Sequence, residues 1–129
     1  MAKKQVIITD KAPKAIGPYS VATSIGDLIF TAGQGGLDPA TGELAPGGIE
    51  AETRQALTNI KHVLEAAGSS MEHVLKMTVF LRDIADFSRM NAVYAQFFDK
   101  NYPARSTVQV AAIPKNGAVE IEAIACRAS

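Results

Sequence analysis

Two apolar stripes at helical spacing, separated by one segment that alternates residue by residue, limit what this chain can fold into. Leu57, Ile60, Leu64 and Ala67 recur at three- and four-residue steps, with Ala56 and Val63 beside them. That spacing predicts an amphipathic helix over about residues 50–67. Glu50 and Glu52 fall in its first turn, where the helix dipole favours anions, and Gly68 is placed to end it. Phe87, Met90, Tyr94 and Phe97 form a second stripe, over about residues 85–100, which reads as core packing. Between the two, Val74 to Arg82 alternates: Leu75, Met77, Val79 and Leu81 face one way, Lys76, Thr78 and Arg82 the other.

Further strands follow from composition and alternation. Asp27 to Thr31 is short and β-rich. Arg105 to Ala111 sets Ser106, Val108 and Val110 on one face and Arg105, Thr107 and Gln109 on the other. Val119 to Cys126 sets Glu120 and Glu122 against Val119, Ile121, Ala123 and Ala125. The order is strands, helix, strand, helix, strands. Two helices on one face of a mixed sheet is the simplest α+β arrangement for that order. At 129 residues the chain, 1–129, is expected to form a single domain with no interdomain linker.

Composition excludes several function classes. Thirteen basic residues balance thirteen acidic ones, which argues against a general nucleic-acid binder and against an anionic-membrane binder. A single cysteine, Cys126, permits no intrachain disulfide and no Cys-x-x-Cys motif. The start has only three apolar residues in a row, Val6 to Ile8, too few for a signal-peptide core. No apolar run approaches the ~20 residues of a membrane span. The expectation is a soluble, cytoplasmic protein.

Four residue sets invite chemistry. Arg105 opens a strand just after Pro103-Ala104, and its planar fork suits a carboxylate or phosphate; read without a family, it is a surface ion pair. Glu120 and Glu122, two apart on a strand and ~6.5–7 Å from each other, form either a solvated polar face or a site for a general base acting on water. Both lie on one strand, so they cannot flank a scissile bond as a glycosidase pair does. Gly33-Gln34-Gly35-Gly36-Leu37-Asp38 fails the dinucleotide and phosphate-loop patterns, and reads as a loop after a strand with backbone N–H groups free for an anion. His62, expected on an exposed helix face, and His73 stand eleven residues apart with no partner cluster, so a zinc site or a Ser-His-Asp triad has little support.

Taken in order, Ile16-Gly17-Pro18-Tyr19-Ser20, Phe30-Thr31-Ala32-Gly33-Gln34, Pro103-Ala104-Arg105-Ser106 and Glu120-Ile121-Glu122-Ala123-Ile124-Ala125 form a specific combination. Over nearly its full length the chain resembles the RidA family of reactive intermediate/imine deaminases. The resemblance implies a chorismate-mutase-like α+β fold and a homotrimer with clefts between subunits. It implies hydrolysis of 2-imino acids, such as 2-iminopropanoate and 2-iminobutanoate, to 2-oxo acids and ammonia. Those imines arise from enamines released by pyridoxal-phosphate-dependent dehydratases. No cofactor and no metal are expected. By the family pattern Arg105 clamps the substrate carboxylate, Glu120 orients or deprotonates the attacking water, and Tyr19 lines the cleft. Gly33, Asn91 and Thr107 are carried over as substrate-binding positions.

Three positions depart from that pattern. Ala32 stands where the imine-deaminating members usually have Ser, Thr107 where they usually have Cys, and Gly35-Gly36 where they usually have Ile-Pro; all three bear on substrate range. Geometry adds an expectation. If the last two strands pair as a hairpin across residues 113–118, Arg105 and Glu120 lie six residues apart along the sheet, ~20 Å, too far for a three-carbon imino acid to touch both. Either the strands do not pair that way, or Arg105 of one subunit meets Glu120 of its neighbour; the second is the expectation. The rival functions are an endoribonuclease or translation inhibitor, and a small-acid-binding or chaperone-like module without turnover. Neutral charge and the absence of paired histidines count against the first, and the second needs Arg105 but not Glu120.

Overall fold

The computed structural model describes residues 2–129. Along the chain run β1 (Gln5–Ile7), β2 (Ala22–Ile25), β3 (Leu28–Thr31), β4 (Gln34–Gly35), α1 (Ile49–Ala66), β5 (Val74–Leu81), α2 (Phe87–Tyr94), β6 (Ala104–Gln109) and β7 (Val119–Cys126). The strands make one mixed sheet in the order β1-β2-β3-β7-β5-β6, with β4 also paired to β7. Among the described residues only β5 and β6 run parallel, and α2 lies in the crossover that parallel pairing demands. β7 is last in sequence and central in space. It pairs with β3, β4 and β5, all antiparallel.

The core follows from the two periodicities. Ile121 on β7, Met77, Val79 and Leu81 on β5, and Ile29 on β3 are fully buried beneath Leu57, Ile60 and Leu64 of α1 and Met90 of α2. Both helices therefore cover one face of the sheet. Alternate residues of β5 and β7, among them Thr78, Phe80, Glu120 and Glu122, are half-buried on the other face. Gly68, at φ +82°, ends α1 in the left-handed region that favours glycine. Arg127 ties the chain's end to its beginning: its guanidinium donates to Ser24 Oγ at 2.9 Å and to Gln5 Oε1 at 3.3 Å.

Several expectations are corrected. The last two strands do not form a hairpin, because β5 lies between β6 and β7 and pairs with both. Leu75 does not share the buried face. A bulge between Val74 and Lys76 turns Val74 inward and leaves Leu75 half-exposed. α2 is shorter than its stripe, because single 3-10 turns at Ile84–Asp86 and Ala95–Phe97 flank it. Phe87 is 38% exposed and so is not core. His62 is half-buried rather than exposed, with Nδ1 2.9 Å from the Lys11 carbonyl. The glycine-rich segment is not a free loop: Gln34 and Gly35 pair with Ile121 and Glu120, and Asn59 of α1 donates to the Gly35 and Leu37 carbonyls at 3.2 and 2.9 Å. The Asp38 N–H donates to Glu43 O at 2.8 Å, so it is not free for an anion.

Candidate active site

The sheet register fixes where the two charged candidates point. Arg105 stands beside Met77 of β5, whose side chain is buried under the helices. Glu120 stands beside Phe80, three residues further along β5 and therefore on the other face. Within one chain the guanidinium and the carboxylate leave the sheet on opposite sides. Their backbones are offset by three residues along the strands and two strands across, roughly 14 Å.

On the helix face, Arg105 is held by aromatic rings. Its Cζ lies 4.6 Å from the Tyr94 ring centroid and 5.5 Å from that of Phe87. Such stacking suits the weakly hydrated guanidinium and leaves its N–H fork free for a planar anion. Asn91, Tyr94, Tyr102, Pro103 and Arg105 line a shallow hollow there. Three buried oxygens around it, Asn91 Oδ1, the Tyr94 hydroxyl and Thr107 Oγ1, have no hydrogen-bond partner. Burial pushes the Tyr94 hydroxyl above its ordinary value, with the Arg105 charge pulling the other way.

On the opposite face, Glu120 sits in a second hollow of about 360 Å³, with Tyr19, Ala32, Gly33, Gln34 and Gly35 among its walls. Tyr19 is placed by its own loop: its hydroxyl accepts a hydrogen bond from the Ile16 N–H at 3.2 Å, and its N–H donates to Gly17 O at 2.8 Å. Burial raises the Glu120 carboxyl above the usual carboxylate range, and the negative charge of Glu122 adds to the rise. A raised carboxyl with no ion-pair partner is a better proton acceptor than an ordinary glutamate. Among the described residues the ion pairs are those of Arg89 with Glu50 and Asp86, so neither Arg105 nor Glu120 is neutralised within the chain.

The structure thus places the six expected site residues in two groups. Arg105, Asn91 and Thr107 lie on one face, and Glu120, Tyr19 and Gly33 on the other. Sequence reasoning missed Tyr94 and Phe87, because aromatics at helical spacing look the same whether they fill a core or stack on a cation. Among the described residues, no group of three or more His, Cys, Asp or Glu stands close enough to hold a metal ion. Among the described residues, no helix is long and apolar enough to cross a membrane.

The chain is a small mixed α+β protein with Arg105 and Glu120 on opposite sheet faces, neither held in an ion pair, and comparison with known proteins gives its relatives. The family model described as Endoribonuclease L-PSP matches residues 9–127, and the chain belongs to that family, the RidA family. The chain is 55% identical over 122 residues to a bovine (Bos taurus) protein named 2-iminobutanoate/2-iminopropanoate deaminase, covering 95% of this chain and 89% of that protein. Among solved structures it is similar to E. coli TdcF with bound serine, at 46% identity and a TM-score of 0.92, covering 96% of this chain and 99% of that one. It is similar also to RidA from an Antarctic Psychrobacter, at 48% identity and a TM-score of 0.92, covering 95% and 98%.

Proposed function

We propose that this protein hydrolyses 2-imino acids to 2-oxo acids and ammonia, 2-iminopropanoate and 2-iminobutanoate among them, and so clears reactive enamine and imine intermediates released by pyridoxal-phosphate enzymes in the cytoplasm. The carrying observation is the pair of unneutralised, half-buried charges, Arg105 on a ring-lined platform and Glu120 with a raised carboxyl. The name of the bovine relative supports the reading, and the serine in TdcF is a small amino acid with the same carboxylate.

In this reading Arg105 grips the substrate carboxylate through a bidentate, charge-assisted pair. Asn91 Oδ1 and the β6 edge at Thr107 offer further polar contacts. The protonated imine carbon is already electrophilic, so water needs placement and a proton acceptor. Glu120 takes the proton of the attacking water and returns it to the departing amine, and Tyr19 walls the cleft. General-base help of this kind is worth about 10²–10⁴-fold.

Because the two charges diverge within one chain, the reading requires a composite site: Arg105 of one subunit opposite Glu120 of the next. A homotrimer of chorismate-mutase-like subunits supplies it. The helix-free face, where Leu28, Phe30 and Val108 remain exposed, offers an apolar surface for assembly. The test is imine decay with imines generated in situ by an amino-acid oxidase. Wild type accelerates the decay, and Arg105→Ala and Glu120→Gln lose the acceleration; no effect of wild type on any imine overturns the reading. The family's endoribonuclease description keeps RNA cleavage as the rival, which predicts RNA breakdown that survives Arg105→Ala.

A further inference from the structure

The hollow around Glu120 is the part of the composite site that one chain supplies. Its volume of about 360 Å³ includes the space into which a neighbour's Arg105 reaches, so the room left for a substrate side chain is set by the residues beside the carboxylate. The chemistry of its wall is uneven. Glu120 carries the only carboxylate, Lys14 and Lys115 supply two ammonium groups, and Val21, Leu37, Leu44 and Ile113 supply apolar surface. Lys115 is engaged elsewhere, donating to the Gly42 carbonyl at 2.9 Å.

What keeps the hollow open beside the carboxylate is Gly35. Gly35 pairs directly with Glu120 across β4 and β7, so a side chain there would rise on the same face as the carboxylate. The space for one exists: a Cβ on Gly35 meets only the Val119 carbonyl oxygen, at an ordinary 3.8 Å. Gly33 and Gly36 differ, because a Cβ on either would come within 2.6 Å of its neighbour. Glycine at position 35 is thus not demanded by backbone packing, and its effect is to leave the ground next to Glu120 empty.

We propose that this hollow takes the side chain of the substrate, and that the protein favours 2-imino acids with apolar side chains of four or more non-hydrogen atoms, of the leucine and methionine class, over 2-iminopropanoate. The proposal rests on the imine-hydrolase reading. With the carboxylate on a neighbour's Arg105 and the imine carbon over Glu120, the side chain extends past Gly35 toward Leu37, Leu44 and Ile113. Each methylene buried there improves kcat/KM about fourfold. A side chain at position 35 takes the same space, so it penalises long substrates more than short ones.

The experiment compares imines made in situ from alanine, 2-aminobutanoate, leucine and methionine, with wild type, Gly35→Ala and Gly35→Val. The expected result is kcat/KM rising with chain length in wild type, and a long-to-short ratio that falls about tenfold or more from wild type to Gly35→Val, with Gly35→Ala between. A flat or falling chain-length profile in wild type, or a ratio unmoved by Gly35→Val in folded protein, overturns the proposal. Calorimetric binding of pyruvate and 4-methyl-2-oxopentanoate runs alongside and needs no turnover. If no imine is hydrolysed but the longer 2-oxo acid binds more tightly and loses that advantage in Gly35→Val, the hydrolase reading fails and the side-chain pocket stands. If neither turnover nor binding depends on chain length, the pocket fails.

Discussion

Gly33 backs directly onto Glu120: a Cβ on Gly33 would lie 2.6 Å from the carboxylate Oε2 and 2.7 Å from its carbon. The atoms in the way are the far end of a side chain, so the carboxylate can swing aside at little cost to the fold. A swung carboxylate no longer aims at the water it is proposed to activate. Gly33→Ala is therefore expected to keep its thermal stability within about 1 kcal/mol of wild type while kcat for imine hydrolysis falls about tenfold or more. Gly36→Ala is the contrast, since its Cβ would meet the Glu52 Cα at 2.6 Å, which is backbone and cannot yield. That variant is expected to lose about 1–3 kcal/mol in denaturant unfolding. Equal stability losses in the two variants would remove the distinction.

The contrast between those glycines marks how far the sequence reaches. Periodicity alone gave α1 to within a residue or so at each end and gave β7 complete, because both bury one face along their whole length. β1 and β4 escaped because they are only three and two residues long, and β2 because Ala-Thr-Ser-Ile lacks the apolar β-formers that mark β3; all three exist through their partners. The bulge that turns Leu75 outward is likewise set by pairing with β7 and leaves no mark in the local pattern. Arg105 and Glu120 were singled out by motif. Their separation onto two faces became visible only once β5 was seen to lie between their strands.

That separation yields a test by subunit mixing. Arg105→Ala and Glu120→Gln subunits are each expected to be inactive as homo-oligomers. Unfolded and refolded together in equal amounts, they form sites in which an intact Arg105 faces an intact Glu120. Random assembly of a cyclic oligomer returns about a quarter of wild-type activity, if each site takes one residue from each of two neighbours. Recovery that stays at zero in properly mixed oligomers, verified by mass spectrometry, sinks the shared site.

The ring platform under Arg105 predicts a binding defect. Removing the Tyr94 ring in Tyr94→Leu is expected to raise KM by a few-fold to about thirtyfold with a smaller change in kcat, the range of a partly desolvated cation–π contact. Tyr94→Phe keeps the ring face and is expected to stay near wild type. Equal losses in both variants would assign the role to the hydroxyl instead.

The raised carboxyl of Glu120 has a sign that can be followed in two measurements. As a general base it must be ionised, so the acid limb of the kcat/KM profile is expected above the ordinary range for a glutamate. Glu122→Gln removes the like charge but not the burial, so the limb moves toward lower pH without reaching the free value. Stability runs the opposite way. A carboxyl whose pKa is higher folded than unfolded destabilises the fold when ionised, and that cost disappears as pH falls through the folded value. Glu120→Gln is thus expected to match or exceed the wild-type melting temperature at neutral pH while losing activity, with the difference closing in acid. A clear loss of stability at neutral pH would show that the fold relies on the Glu120 charge.

Glu52 is the acid that the fold does rely on. It enters the first turn of α1 as a dipole partner, yet it is 7% exposed, and its carboxylate accepts the Ala118 N–H at 2.8 Å. That bond joins the start of α1 to the residue before β7, two positions ahead of Glu120. Glu52→Ala leaves the Ala118 N–H buried and unpaired, which costs about 1–3 kcal/mol. Glu52→Gln keeps an acceptor oxygen at the same reach and is expected to lose less than half as much. Because β7 pairs with three other strands, a loosened start reaches Glu120 through the backbone. Hydrogen exchange is therefore expected to accelerate at Val119 and Glu120 in Glu52→Ala before it does so at Ala125. Uniform acceleration along β7 would place the anchor elsewhere.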